Sequence, residues 1–213
     1  MTPEKIVYAK TPEERTAGLE RACMILRAGG LVAFPTESFY GLAVDIRRED
    51  AVCRLFKAKG RSPDQPVLLL LPSLESVKDH AAATTPAARR LMGRFWPGGL
   101  TLVFKAARTV SPLLTAGTGT IGLRLSSHSL ATGLALTLGT AITGTSANPS
   151  GVPPACTAEE AVRSLGPHLD LVLDGGRTAG GPGSTVLDVT VDPPRILRHG
   201  QVDRDSLKSC LAN

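Results

Sequence analysis

The sequence is poor in aromatic side chains: one Trp, two Tyr and five Phe make up 4% of its 213 residues. Modules that read single-stranded RNA stack bases on such rings, so a recognition domain built on stacking is not expected. Cysteine is also sparse. Cys23, Cys53, Cys156 and Cys210 lie far apart with no C-x-x-C pair, which leaves zinc ribbons and thioredoxin-like motifs without support. No apolar run approaches membrane-spanning length, and the polar N-terminus lacks a basic segment followed by an apolar stretch. The expectation is a protein of the reduced cytoplasm with no membrane partner. No G-x-x-x-x-G-K-[ST] occurs, so any ATP would be held without a Walker A loop. No carboxylate cluster marks a dedicated metal site.

With 42% apolar residues the chain can bury one sizeable core, read as a domain over residues 1–202 followed by a helical tail over 203–213. Lys and Arg number 24 against 19 Asp and Glu, a formal charge of +5. That excess suits a nucleotide or RNA ligand but falls short of a protein that coats nucleic acid.

Helix signals recur along the chain with strand-like runs between them, the pattern of an α/β fold. Thr11-Pro12-Glu13-Glu14 offers an N-cap, a Pro at the first helical position and a Glu three residues after the cap. Leu19, Ala22, Cys23 and Leu26 follow at helical spacing until Gly29-Gly30. A second stripe, Val52, Leu55, Phe56 and Lys59, starts after Glu49-Asp50 and stops at Gly60. Cys23 and Cys53 fall in these segments and are read as small core residues. Further helices are expected over 74–82, 85–95, 128–138 and 157–165, the last opened by a second capping box at Thr157. Strands are expected over 31–34, 67–71, 100–104, 121–125, 141–144 and 169–173. Residues 115–120 contain nothing apolar larger than Ala and read as a flexible loop, and Trp96 reads as a core or hinge anchor.

Four places combine polar side chains with turn residues. Pro35 to Leu42 sets Thr36, Glu37 and Ser38 at a strand end, where open α/β sheets bind ligands; the alternative is a turn whose hydroxyls satisfy local backbone groups. Lys59 and Arg61 leave the second helix on a loop stiffened by Pro63 and Pro66. They offer fixed charge for phosphates, or only solvated charge that favours the helix dipole. Arg124 lies on an otherwise apolar strand and needs a partner, either a ligand carboxylate or phosphate or an internal salt bridge. Ser146 and Asn148 sit in a polar loop over 145–151 whose amides and hydroxyls can form an anion nest. The Gly-rich stretch through Gly183 reads as a mobile surface loop in preference to the alternative, a ligand lid.

Taken in order, Pro35 to Leu42, Lys59-x-Arg61, Trp96-Pro97-Gly98-Gly99-Leu100-Thr101, Arg124, Ser146-x-Asn148, Asp174-Gly175-Gly176, Ser184-Thr185 and Leu197-Arg198-x-Gly200 resemble the YrdC-like family. That family includes the L-threonylcarbamoyladenylate synthases. The match covers nearly the whole chain and is similar to the short form, without the additional C-terminal domain of the longer synthases. The resemblance implies a three-layer α/β fold with a twisted mixed sheet and a concave, basic cavity, residues 1–202 being the catalytic domain. It implies a nucleotidyltransferase that joins L-threonine, bicarbonate and ATP into threonylcarbamoyl-AMP and pyrophosphate. The product would pass to a transferase complex that modifies the adenosine beside the anticodon of certain tRNAs; whether tRNA touches this chain directly stays open. Thr36, Arg124, Gly144 and Ser184 match positions that hold threonine, Gly144 through its backbone. Lys59, Arg61, Gln65, Thr120, Ser146, Asn148 and Arg198 match positions around ATP, with Lys59 and Arg61 expected to carry catalysis. Mg²⁺ would be held mainly through the ATP phosphates.

The chain departs from the family pattern at several points. Leu70 stands where some members carry a His, Ala43 where a Gly is common, and Gln65 where Asn is frequent. Ser126, Ser129 and His199 replace prolines. These changes bear on substrate preference more than on fold. Two other readings stay open: a relative that activates a different carbamoyl donor, as the similar domain of the hydrogenase-maturation carbamoyltransferase does, and a non-enzymatic RNA-binding module using the same cations for backbone phosphates. An RNA module has no reason to set Thr36 and Arg124 beside Lys59 and Arg61.

Overall fold

The computed structural model describes residues 5–62 and 64–212; Pro63, one of the two prolines read as stiffening the cation loop, lies outside the described residues. The strands divide between two sheets. The first runs in the order β1 (Ile6–Tyr8), β9 (Leu171–Asp174), β2 (Val32–Pro35), β3 (Tyr40–Ala43) and β8 (Thr145–Ser146). The second runs β11 (Arg195–Arg198), β10 (Thr185–Asp188), β5 (Leu100–Lys105), β6 (Thr120–Arg124), β4 (Leu69–Leu70) and β7 (Ile142–Thr143). Both are mixed: β2 lies parallel to β9 and antiparallel to β3, and β5 lies parallel to β10 and antiparallel to β6.

The alternation of side chains along β2 explains the layers. Val32 and Phe34 join a core with Ala22, Cys23 and Leu26 of α1 (Pro12–Arg27) and Leu134 of α6 (Ser129–Leu138). Leu31 and Ala33, of opposite parity, join the larger core with Leu55 of α2 (Glu49–Lys59), Leu91 of α4 (Pro86–Phe95) and Leu165 of α7 (Ala158–Leu165). A strand buried on both faces between helices is what its continuous apolar run dictates, and it yields the expected three layers. The final helix, α8 (Arg204–Ala212), inserts Leu207 into the larger core. Among the described residues, no helix is long and apolar enough to cross a membrane.

Local signals are realised unevenly. At Thr11 the capping box forms in full, its Oγ1 accepting from the Glu14 amide at 3.2 Å while Glu14 Oε2 accepts from the Thr11 amide at 3.1 Å. Only half of the box expected at Thr157 forms, because Glu160 Oε2 takes the Cys156 amide at 2.7 Å instead. Gly60 ends α2 in the left-handed region, with φ 55°. Cys23 is buried as expected, but Cys53 is exposed: it lies one position off the stripe that α2 turns inward. The segment over 74–82 keeps a single turn, α3 (Val77–His80), and the run over 67–71 is strand only over β4. Trp96 is a core anchor, its Nε1 donating to Leu100 O at 2.6 Å.

One glycine joins the sheets. β7 belongs to the second sheet, β8 to the first, and Gly144 is the sole residue between them. A Cβ there would lie 2.6 Å from Leu68 Cδ1 and 2.7 Å from Leu70 Cγ. The two sheets can approach this closely only because the crossing residue has no side chain.

Candidate functional site

A cavity of about 490 Å³ opens where the sheets meet. Gly41 of β3 and Ser146 of β8 line it from one sheet, and Thr101, Gly122 and Val186 from the other. Its volume is in the range of small-molecule sites. Among the described residues its lining holds three guanidinium groups, those of Arg61, Arg124 and Arg198, and no acidic side chain. Such a cavity favours anions.

Arg124 ends β6 and is 4% exposed. Its Nη1 stands 3.2 Å from Glu37 Oε1, yet neither that oxygen nor Arg124 Nε has a hydrogen-bond partner. The pair therefore compensates charge without an aligned hydrogen bond. Burial draws the guanidinium below its ordinary pKa, Glu37 opposes the shift, and Arg198 adds to it. Of the two alternatives open in the sequence, the internal ion pair is present, and the guanidinium also lines the cavity.

Ser184 lies just before β10 and is 3% exposed. Its Oγ is 2.9 Å from Thr101 Oγ1 and accepts from Arg198 Nη2 at 3.0 Å. Arg198 also donates to the Ser184 carbonyl, from Nη2 at 2.8 Å and from Nε at 3.2 Å. The pairing of β10 with β11 thus fixes a cation and two hydroxyls at one place. Thr101 ends the Trp96 to Thr101 motif but carries no site role in the sequence reading, although a Thr inside the apolar run Leu100 to Phe104 is a legible signal.

Thr36 follows β2 and lines the cavity while closing a local turn. Its Oγ1 donates to Phe39 O at 2.7 Å and accepts from the Ser38 and Phe39 amides, each at 3.3 Å. The turn is tied to its surroundings through Tyr40, whose hydroxyl donates to Gly176 O at 2.8 Å. Asp174 Oδ1 accepts from the Gly176 amide at 2.8 Å, so Asp174-Gly175-Gly176 braces the turn and does not enter the cavity.

Lys59 differs from expectation in where its charge points. The side chain is 3% exposed, does not line the cavity, and donates from Nζ to the carbonyls of Ser146 and Asn148, the latter at 2.6 Å. Burial, with the like charge of Arg61, pulls its pKa from 10.5 to about 8, and the two carbonyls favour the charged form. Lys59 is the anchor of the turn carrying Ser146 and Asn148. Asn148 donates through Nδ2 to Pro149 O at 2.9 Å and Val152 O at 2.6 Å, leaving buried Oδ1 without a partner. Arg61 is half-buried, and burial lowers its pKa. Its Nη2 donates to Pro66 O at 2.6 Å and its Nε to Gln65 O at 3.3 Å.

Thr36, Arg61, Thr120, Arg124, Gly144 and Ser146 thus meet at one cavity, as do Ser184 and Arg198. Lys59 and Asn148 stand behind it, and Gln65 is exposed outside its lining. Among the described residues, no three His, Cys, Asp or Glu side chains cluster as a metal-binding group.

The chain is similar to known proteins in both sequence and fold. Residues 24–200 match the model of the Sua5, YciO and YrdC family, described as telomere recombination. The chain is 36% identical over 194 residues to a threonylcarbamoyl-AMP synthase of Bacillus subtilis, covering 91% of this chain but 56% of that protein. It is 38% identical over 188 residues to a threonylcarbamoyl-AMP synthase of Thiobacillus denitrificans, covering 88% of this chain and 98% of that protein. Pyrococcus abyssi Sua5 complexed with L-threonine superimposes with a TM-score of 0.91 at 34% identity, over 97% of this chain and 60% of that one. The chain therefore spans little more than half of some relatives and nearly all of others.

Proposed function

The chain belongs to the Sua5, YciO and YrdC family, and from that premise we propose that it is an L-threonylcarbamoyladenylate synthase, joining L-threonine, bicarbonate and ATP into threonylcarbamoyl-AMP with release of pyrophosphate. The observation that carries the reading is the cavity lining, three guanidinium groups with hydroxyls between them and no carboxylate among the described residues. Two anionic substrates must meet there, and fixed cations are what hold them together.

In this reading Arg124 takes the threonine carboxylate, a geometry its fork of donors suits. Thr36 and Ser184 present hydroxyls to the same substrate, and the backbone at Gly144 approaches it without a side chain in the way. Arg61 and Arg198 take the phosphates, with Ser146 and Thr120 supplying neutral donors. Lys59 acts from behind the cavity by fixing the Ser146 turn. Asn148 is held in that turn with a free acceptor. Gln65 contributes only the carbonyl that orients Arg61.

The carbamate formed from the threonine amine and bicarbonate, as a C–N bond replaces a C–O bond and water leaves, is already anionic, so its oxygen needs no strong general base to attack the α-phosphorus. An O–P bond forms, the bond to the bridging oxygen breaks, and pyrophosphate departs with the electron pair. The protein's part is orientation and stabilisation of developing charge by preorganised donors. Mg²⁺ would enter on the ATP phosphates and neutralise part of their charge. The product is suited to a tRNA-modifying transferase complex, and we assign the reaction to the cytoplasm.

Pyrophosphate release from ATP, with and without L-threonine and bicarbonate and with serine as a control, tests this reading. Release dependent on both threonine and bicarbonate is expected. Release indifferent to threonine, or none at all, contradicts it.

A further inference from the structure

A chain of contacts leads from Arg124 away from the cavity. Arg124 lines it, whereas Glu37 and Ser126 do not. Ser126 is 2% exposed, and its Oγ donates to Glu37 Oε2 at 2.6 Å. Ser126 is itself fixed at the start of α6: its Oγ accepts from the His128 amide at 3.2 Å and its carbonyl accepts from Thr132 Oγ1 at 2.8 Å.

A carboxylate free to meet a guanidinium frequently forms a bidentate pair that uses two of its N–H groups. Glu37 does not form one. Ser126 takes Oε2, and Oε1 remains 3.2 Å from Arg124 Nη1 without a hydrogen bond. The distance is short enough to compensate a guanidinium that is 4% exposed and feels a second cation, Arg198. An unpaired charge at such a position would be strongly unfavourable. The arrangement therefore supplies counter-charge while leaving donors unspent.

We propose that Ser126 is a positioning residue for substrate binding: by tethering Glu37 it keeps the N–H groups of Arg124 available to the substrate carboxylate. This inference rests on the reading of Arg124 as the threonine clamp. Without the tether Glu37 becomes an internal competitor for the same donors. Apparent threonine affinity then falls by the fraction of molecules in which Arg124 remains open.

The test is Ser126→Ala, with threonine binding measured by calorimetry and KM measured separately for threonine and ATP. A competing pair that leaves about one molecule in ten open raises the threonine Kd and KM about tenfold. ATP KM stays within about twofold, which a general loss of folding would not permit. Adding Glu37→Gln to Ser126→Ala restores threonine affinity, because an amide cannot form the charged pair. Unchanged threonine affinity in Ser126→Ala, a parallel loss of ATP affinity, or no recovery in the double variant overturns the proposal. Wild-type protein that binds no threonine overturns the clamp reading and this inference with it. Wild-type binding with Ser126→Ala unaltered overturns the Ser126 assignment alone.

Discussion

Lys59→Met removes a buried charge while keeping most of the side chain's length, and its effect on stability should depend on pH. In the wild type the ammonium is 3% exposed and bonded to two backbone carbonyls. Burial brings its pKa from 10.5 to about 8, so the unfolded chain binds this proton more tightly than the folded one. Lys59 therefore subtracts from stability at all pH values below about 8, and the subtraction fades as pH rises from there toward 10.5. The shift corresponds to about 3 kcal/mol. Met carries no such titration but forfeits the two carbonyl bonds, each worth about 1.5–3 kcal/mol when the donor is charged. Near neutral pH the two effects oppose one another. Between about pH 7 and about pH 10 the wild type should gain about 2–3 kcal/mol relative to the variant. Urea denaturation of both proteins at the two pH values reads this difference, since every other titration is common to them. A gap that does not widen with pH refutes the assigned burial and charge of Lys59.

Other substitutions probe the remaining parts. Arg61→Ala should lower threonine-dependent pyrophosphate release by about a hundredfold or more. Its stability should stay within about 0.5 kcal/mol, because the lost bonds are to exposed loop carbonyls; full turnover would remove Arg61 from the phosphate site. Gly144→Ala places a Cβ against Leu68 and Leu70 and should cost about 1–3 kcal/mol, seen as a lower urea midpoint with reduced activity. Wild-type values for both would show that the sheets meet less tightly than described. Under native conditions a thiol reagent should modify exposed Cys53 promptly and buried Cys23 only after unfolding. Equal rates for the two would contradict the orientation of α1 and α2.

Much of the helical frame was legible because its signals are local. Thr11 with Glu14, Gly60 after Lys59, and Thr85 before Pro86 each mark a boundary through atoms a few residues apart. The strands β1, β3, β8, β10 and β11 were not read, since segments of two to four residues carry too little period to distinguish them from turns. Cys53 shows how a one-position offset on a helix reverses burial. In the site, the ordered resemblance located Arg124, Ser184 and Arg198, but not that Arg198 donates to Ser184 or that Thr101 completes the group. Lys59 is the clearest limit. Its proximity to Arg61 in sequence suggested a shared direction, whereas the turn of α2 sends its ammonium to the carbonyls of Ser146 and Asn148. Those contacts span nearly ninety residues, with separations of 87 and 89, and no local pattern encodes them.

The most direct measurement of the central claim is the identity of the nucleotide product when the protein turns over L-threonine, ATP and isotopically labelled bicarbonate. Mass spectrometry should find threonylcarbamoyl-AMP carrying the labelled carbon, formed in step with pyrophosphate. An unlabelled adenylate of threonine, or AMP with no threonine attached, would contradict the account.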